Sequence, residues 1–232
     1  MLEKKVISID LDETMGDFRG ITPYFANSRD EVRISRFPVI RQDLLATLTD
    51  LLMQDMLIAV SSGRRIISLL AALEESDIIY SVDRPFGRDE LDYAPRRGGK
   101  DYRKVIEHFG LTEKRTLSDL IIIGDDEDVD APTTTSGTVF VCQPEGYLTT
   151  ARIWQYILNE LLEKGGGSFN QGFVELFSSG QQAARMPLLS PSYSPSKVKR
   201  YELQPGNIEL YLQMRSSKES NIVTPTIVPI LR

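Results

Sequence analysis

Short apolar runs recur along the chain, and three of them stop at a polar cluster. Residues 5–9 (KVISI) run into DLDET, residues 56–60 (MLIAV) into SSGR, and residues 120–123 (LIII) into GDDEDVD. Runs this short, rich in β-branched residues and bounded by turn residues, predict buried strands. Residues 78–82 (IIYSV) and 138–142 (TVFVC) predict two more. Between the runs the apolar positions shift to helical spacing. Leu44, Leu45, Leu48, Leu51 and Leu52 share one side of 43–54, and Ile153, Trp154, Ile157, Leu158 and Leu161 share one side of 149–164. Residues 65–75 and 101–109 read as further helices, the second closed by Gly110, a common C-terminal stop. Residues 14–38 and 83–99 are punctuated by Gly and Pro and read as irregular.

Strands alternating with helices predict an α/β fold: a Rossmann-like parallel sheet with helices on both faces. After residue 164 the pattern fades. GGGSFNQG has the composition of a flexible linker, and 178–232 is rich in Ser, Pro and Gln. The expected organisation is one domain over 1–163, then a linker and tail over 164–232, largely disordered or loosely docked.

Charge and composition narrow the function. The 232-residue chain has a formal net charge of −6, which argues against a whole-chain electrostatic nucleic-acid binder. One cysteine, Cys142, allows no intrachain disulfide. With a single histidine, His108, no zinc cluster is expected and acid–base chemistry falls to carboxylates. The N-terminal MLEKK lacks a signal-peptide pattern, and no apolar stretch is long enough to span a bilayer. A soluble, cytoplasmic protein with no membrane partner is expected.

In a parallel sheet, ligands bind beyond the carboxyl ends of the strands, where the three polar clusters fall. Each cluster alone has an ordinary reading, as a loop acid, a turn or an acidic surface. Their shared position points to phosphoryl transfer. Asp10 suits a nucleophile that forms an acyl phosphate. Asp12, two residues on, suits the acid that protonates the leaving oxygen and then deprotonates water. Carboxylates facing a phosphate dianion repel it, so a hard cation such as Mg²⁺ is expected. Asp125 or Asp126 completes its ligands, with Asp128 or Asp130 orienting them. A hydroxyl at Ser61 or Ser62 and the Lys100 ammonium would hold the phosphoryl oxygens.

With these motifs the sequence resembles the haloacid dehalogenase (HAD) superfamily over about residues 1–163. DLDET matches the family pattern D-x-D-x-[TV]. The resemblance implies Asp10 as nucleophile and Mg²⁺ ligand, and Asp12 as general acid/base with its backbone carbonyl on the metal. Members with an S-G-R turn use the hydroxyl before glycine, here Ser62; members with T-x-x would align Ser61. Members with G-D take the metal ligand from Asp125, those with a D-D pair from Asp126. Gly63 and Thr14 join Ser61 in the implied substrate-binding set. Neither gap between motifs has room for a large cap domain, which implies an accessible macromolecular substrate: a phosphoprotein or a nucleic-acid 3'-phosphate. DLDET and the D-D pair also look like the RNA polymerase II carboxy-terminal-repeat phosphatases, though Arg36-Phe37-Pro38 stands where that group has R-P-G. SSGR with Lys100 looks like polynucleotide 3'-phosphatase domains.

Overall fold

The computed structural model describes residues 4–23, 32–93, 99–130, 139–142, 150–178, 189–192 and 199–203. In chain order, β1 (Val6–Ile9) is followed by the short strands β2 (Gly16–Asp17), β3 (Ile21–Pro23), β4 (Val32–Ile34) and β5 (Val39–Ile40). Then come α1 (Leu44–Met53), β6 (Leu57–Ser61), α2 (Ile66–Glu75) and β7 (Arg84–Phe86). The remaining elements are α3 (Arg103–His108), α4 (Glu113–Asp119), β8 (Leu120–Gly124), α5 (Glu127–Asp130), β9 (Val139–Cys142), α6 (Arg152–Lys164), α7 (Phe169–Ser178), β10 (Leu189–Ser192) and β11 (Lys199–Leu203).

One sheet runs in the order β10-β11-β9-β8-β1-β6-β7. Its neighbours are parallel except for the antiparallel edge pair β10–β11. The apolar runs are nearly continuous because both faces are covered. Ile7, Ile9, Ile58, Val60, Ile121 and Ile123 turn to one core, which α1, α2, α6 and α7 close. Val6, Ala59, Leu120 and Ile122 turn to the other, closed by Phe86, Tyr102 and Val105. Among the described residues no helix is long and apolar enough to cross a membrane.

Three expectations change. The strand expected at 78–82 is a 3₁₀ turn over Ile78–Ser81, and the sheet's edge strand is β7 instead. Ile78 and Ser81 are buried while Tyr80 is 84% exposed, a three-residue period that no strand shows. Residues 14–38, expected to be irregular, hold β2, β3 and β4, with β2 pairing β5 and β3 pairing β4 in two small antiparallel sheets. Finally, GGGSFNQG is no tether. Gly166 and Gly167 take left-handed φ of 56° and 89°, which turns the chain from α6 directly into α7. Phe169, Phe173 and Leu176 then bury in the same core as β1. The turn needs φ values that only glycine adopts freely, so composition alone mistakes it for a linker. Beyond α7, only β10 and β11 lie within the described residues.

Candidate active site

Register brings the chemistry together. Ile9 lies opposite both Val60 and Ile123, so the next residues, Asp10, Ser61 and Gly124, emerge level at the carboxyl edge of the sheet. The Asp10 amide donates to the Ile123 carbonyl (2.8 Å). Lys100 is fully buried. Its Nζ donates to Asp10 Oδ1, to Asp130 Oδ1 and to the Ser61 carbonyl, while its amide is tied to the Val129 carbonyl (2.7 Å). One carboxylate oxygen each from Asp10, Asp125 and Asp130 lies within 4.8 Å of the others.

Three acids around one ammonium leave the pocket short of positive charge. Burial, then the charge of Asp130, pushes the Asp10 carboxyl well above its usual range. The same two causes raise Asp125 to about 6. Burial alone would pull Lys100 down, but Asp10 and Asp130 outweigh it and hold the ammonium well above its usual range. Carboxylates that favour a proton here would favour a hard divalent cation in its place. Three oxygen donors in one pocket suit Mg²⁺, so the residues present fit that ion.

Asp125, rather than Asp126, joins Asp10. Asp126 is exposed, and its Oδ1 accepts the amides of Asp128 (2.9 Å) and Val129 (3.3 Å) at the start of α5. One turn of α5 carries Asp130 back into the cluster, where its Oδ2 accepts the Asp126 amide (3.2 Å). Asp130, expected only to orient ligands, is itself one of the three converging acids. Gly124 makes room for it: a Cβ there would collide with the Asp130 carboxylate.

The hydroxyls fall differently from expectation. Ser61 Oγ pairs with Ser8 Oγ (2.6 Å) inside the sheet, and it is the Ser61 carbonyl that meets Lys100. Ser62 is buried, its Oγ accepting the Arg64 amide (3.2 Å). Thr14 is buried and donates to Asp125 Oδ1 (3.0 Å), so it steers an acid. Behind it, buried Arg41 donates to the Thr14 carbonyl (2.7 Å) and stacks on Trp154 (5.0 Å). Burial lowers the Arg41 pKa to about 9, with Asp125 opposing.

Asp12 lies outside the three-acid cluster. Both its oxygens are held by Arg64, Nε to Oδ2 at 2.7 Å and Nη2 to Oδ1 at 2.6 Å. Arg64 also donates to the carbonyls of Phe18 and Ile21 and to Ser68 Oγ. Arg64 was not among the expected site residues; its place directly after the Ser-Gly turn was the available signal. Asp10, Asp12, Lys100, Asp125 and Asp130 line a cleft of about 540 Å³, together with Gly63, Arg64, Arg65, Arg88 and Tyr93.

No family model matches the chain, and no curated protein matches it. Among solved structures the chain is similar to a HAD-superfamily hydrolase from Ehrlichia chaffeensis, at 10% identity and TM-score 0.47, over 68% of this chain and 98% of that one. It is similar to a haloacid dehalogenase-like family hydrolase from Streptococcus pneumoniae, at 15% identity and TM-score 0.45, over 67% and 92%. A third is D,D-heptose 1.7-bisphosphate phosphatase from B. bronchiseptica complexed with magnesium and phosphate, at 17% identity and TM-score 0.44, over 67% and 99%.

Proposed function

We propose that the chain is a Mg²⁺-dependent phosphomonoesterase that works through an aspartyl-phosphate. The observation that carries this reading is the meeting of Asp10, Asp125 and Asp130 around Lys100 at the carboxyl edge of the sheet. Asp10 Oδ1 accepts from Lys100, while Oδ2 accepts no hydrogen bond among the described residues; Oδ2 is the oxygen that attacks phosphorus. The P–O bond to the alcohol breaks as the new one forms, and Asp12 gives the departing oxygen its proton. Asp12 then takes a proton from the water that attacks the acyl phosphate, which returns Asp10 as a carboxylate. Lys100 keeps Asp10 aimed and offsets charge on the phosphoryl oxygens. Asp10, Asp125 and Asp130 would hold the Mg²⁺, which when bound neutralises the charge of the transferring group.

An accessible macromolecular substrate, a phosphoprotein or a nucleic-acid 3'-phosphate, is supported by the small insertions. Between β1 and β6 the described chain forms only four short strands and one helix. A second reading, a binding module that holds a phosphorylated partner without turnover, draws on the Arg64 fork, which occupies both oxygens of Asp12.

An assay on p-nitrophenyl phosphate with Mg²⁺ separates the two. Turnover in the wild type that D10N abolishes and D12N slows by about a hundredfold or more supports the enzyme. A folded wild type that turns over no ester supports the module.

A further inference from the structure

We infer that the cleft takes phosphomonoesters bearing a second phosphate, held by Arg88 and Arg65 beside the scissile group. This rests on the phosphatase reading and deepens it to a substrate class. Among the described residues, four cations border the cleft: Arg64, Arg65, Arg88 and Lys100. Two are committed. Lys100 is held by Asp10 and Asp130, and Arg64 by Asp12, two carbonyls and Ser68. Arg65 is exposed and has no acidic partner among the described residues.

Arg88 is fixed without being used up. Its amide donates to the Arg64 carbonyl (2.7 Å) and its Nε to the Gly63 carbonyl (2.8 Å). Its guanidinium sits over the Tyr93 ring (6.0 Å), and the Tyr93 amide donates back to the Arg88 carbonyl (3.0 Å). Its two terminal amino groups have no acceptor among the described residues. Gly63 permits this packing, since a Cβ there would lie 2.7 Å from the Tyr93 ring.

An arginine left loose on a surface says little. A guanidinium anchored through Nε, backed by an aromatic ring, and bordering a phosphoryl cleft with its terminal donors free is a pre-formed anion receptor. Its planar fork matches two phosphate oxygens, and anchoring lowers the ordering cost on binding. Both arginines line the same cleft as Asp10, and neither pairs with the acids that would hold the metal. The second anion therefore meets these two arginines and leaves the three acids to the scissile phosphate.

The test uses wild type, R65A, R88A and the double variant with Mg²⁺. Each is assayed on a nucleoside 3',5'-bisphosphate against the 3'-monophosphate, and on a hexose bisphosphate against its monophosphate. The wild type is expected to favour one bisphosphate by about tenfold or more in kcat/KM, the worth of one charge-assisted contact. The pair that shows the preference tells a nucleotide source from a sugar source. The preference is expected to fall toward one in the double variant, with R88Q replacing R88A should the latter melt early. Equal rates on both members of each pair in the wild type, or a preference that survives in the double variant, overturns the inference. If no ester is turned over, the phosphatase reading fails separately. Isothermal titration of D10N with the same four compounds then decides the subsite: about tenfold tighter binding of a bisphosphate, lost in D10N/R65A/R88A, supports it, and equal affinities reject it.

Discussion

Lys100 is the cation on which the buried acids depend. Replacing it with methionine leaves Asp10 and Asp130 without their shared donor. Breaking a buried ion pair from one side costs about 3–5 kcal/mol, so K100M is expected to unfold at markedly lower denaturant, with Mg²⁺ recovering part of the loss. Asp10 behaves oppositely. Burial and Asp130 raise its pKa, so its charge works against the fold. D10N is expected to end turnover while leaving the metal-free melting temperature level or higher. At this scale the strand-end acids were legible, because an abrupt apolar-to-acid switch marks a sheet's carboxyl edge. The partner was not. GDDEDVD offers five acids, and only the single turn of α5 decides that Asp130 faces inward while Asp126 serves as a cap. Hence D126A is expected to cost about 1 kcal/mol of stability with turnover kept within a few-fold. D130N is expected to lower kcat far more, and comparing the two in one assay checks the assignment.

Among the elements, those with a plain period could be read from sequence and those built on special backbone could not. The central strands β1, β6 and β8, and the helices α1 and α6, declare themselves through runs or through spacing. Helix α7 hides its apolar positions, Phe169, Phe173 and Leu176, behind three glycines and a polar stretch. Its burial makes 165–178 part of the folded unit. The helices α6 and α7 approach closely enough that a Cβ at Gly172 would collide with the Leu161 carbonyl. Phe173 is fully buried in the core that covers β1. F173A is therefore expected to destabilise by about 3–5 kcal/mol, measured by urea melts. A chain cut after Lys164 is expected to expose the apolar surface of α6 and aggregate. A truncation that melted like the full chain would reduce α7 to an ornament of the fold.

For the molecule as a whole, cation binding and stability should be one quantity measured two ways. A cation that binds the folded chain alone, at about a hundred times its Kd, adds about 2.7 kcal/mol. For a chain of this length that is a rise of about 5–10 °C in melting temperature. Proton linkage sets the pH window. In the metal-free protein Asp125 titrates at about 6, above an unfolded aspartate near 3.9. Between those values the folded chain holds a proton that the unfolded chain has released. Metal-free stability should therefore fall as pH rises from about 4 to 6. Asp17 has the opposite sign: hydrogen bonds from Arg19, against the cost of burial, hold its carboxyl well below the usual range. Its contribution is present above about pH 4 and fades below it, so metal-free stability should peak in mildly acidic buffer. Mg²⁺ must displace the Asp125 proton, and the one that burial and Asp130 favour on Asp10, so below pH 6 its apparent affinity should drop by about tenfold per unit or more. Melting curves with Mg²⁺ or EDTA at pH 5 and pH 7.5 read all of this together. The Mg²⁺-dependent rise should be large at pH 7.5, small at pH 5 and absent in D125N. A rise of equal size at both pH values, or one that persists in D125N, would place the cation away from these acids and remove the electrostatic basis of the proposed chemistry.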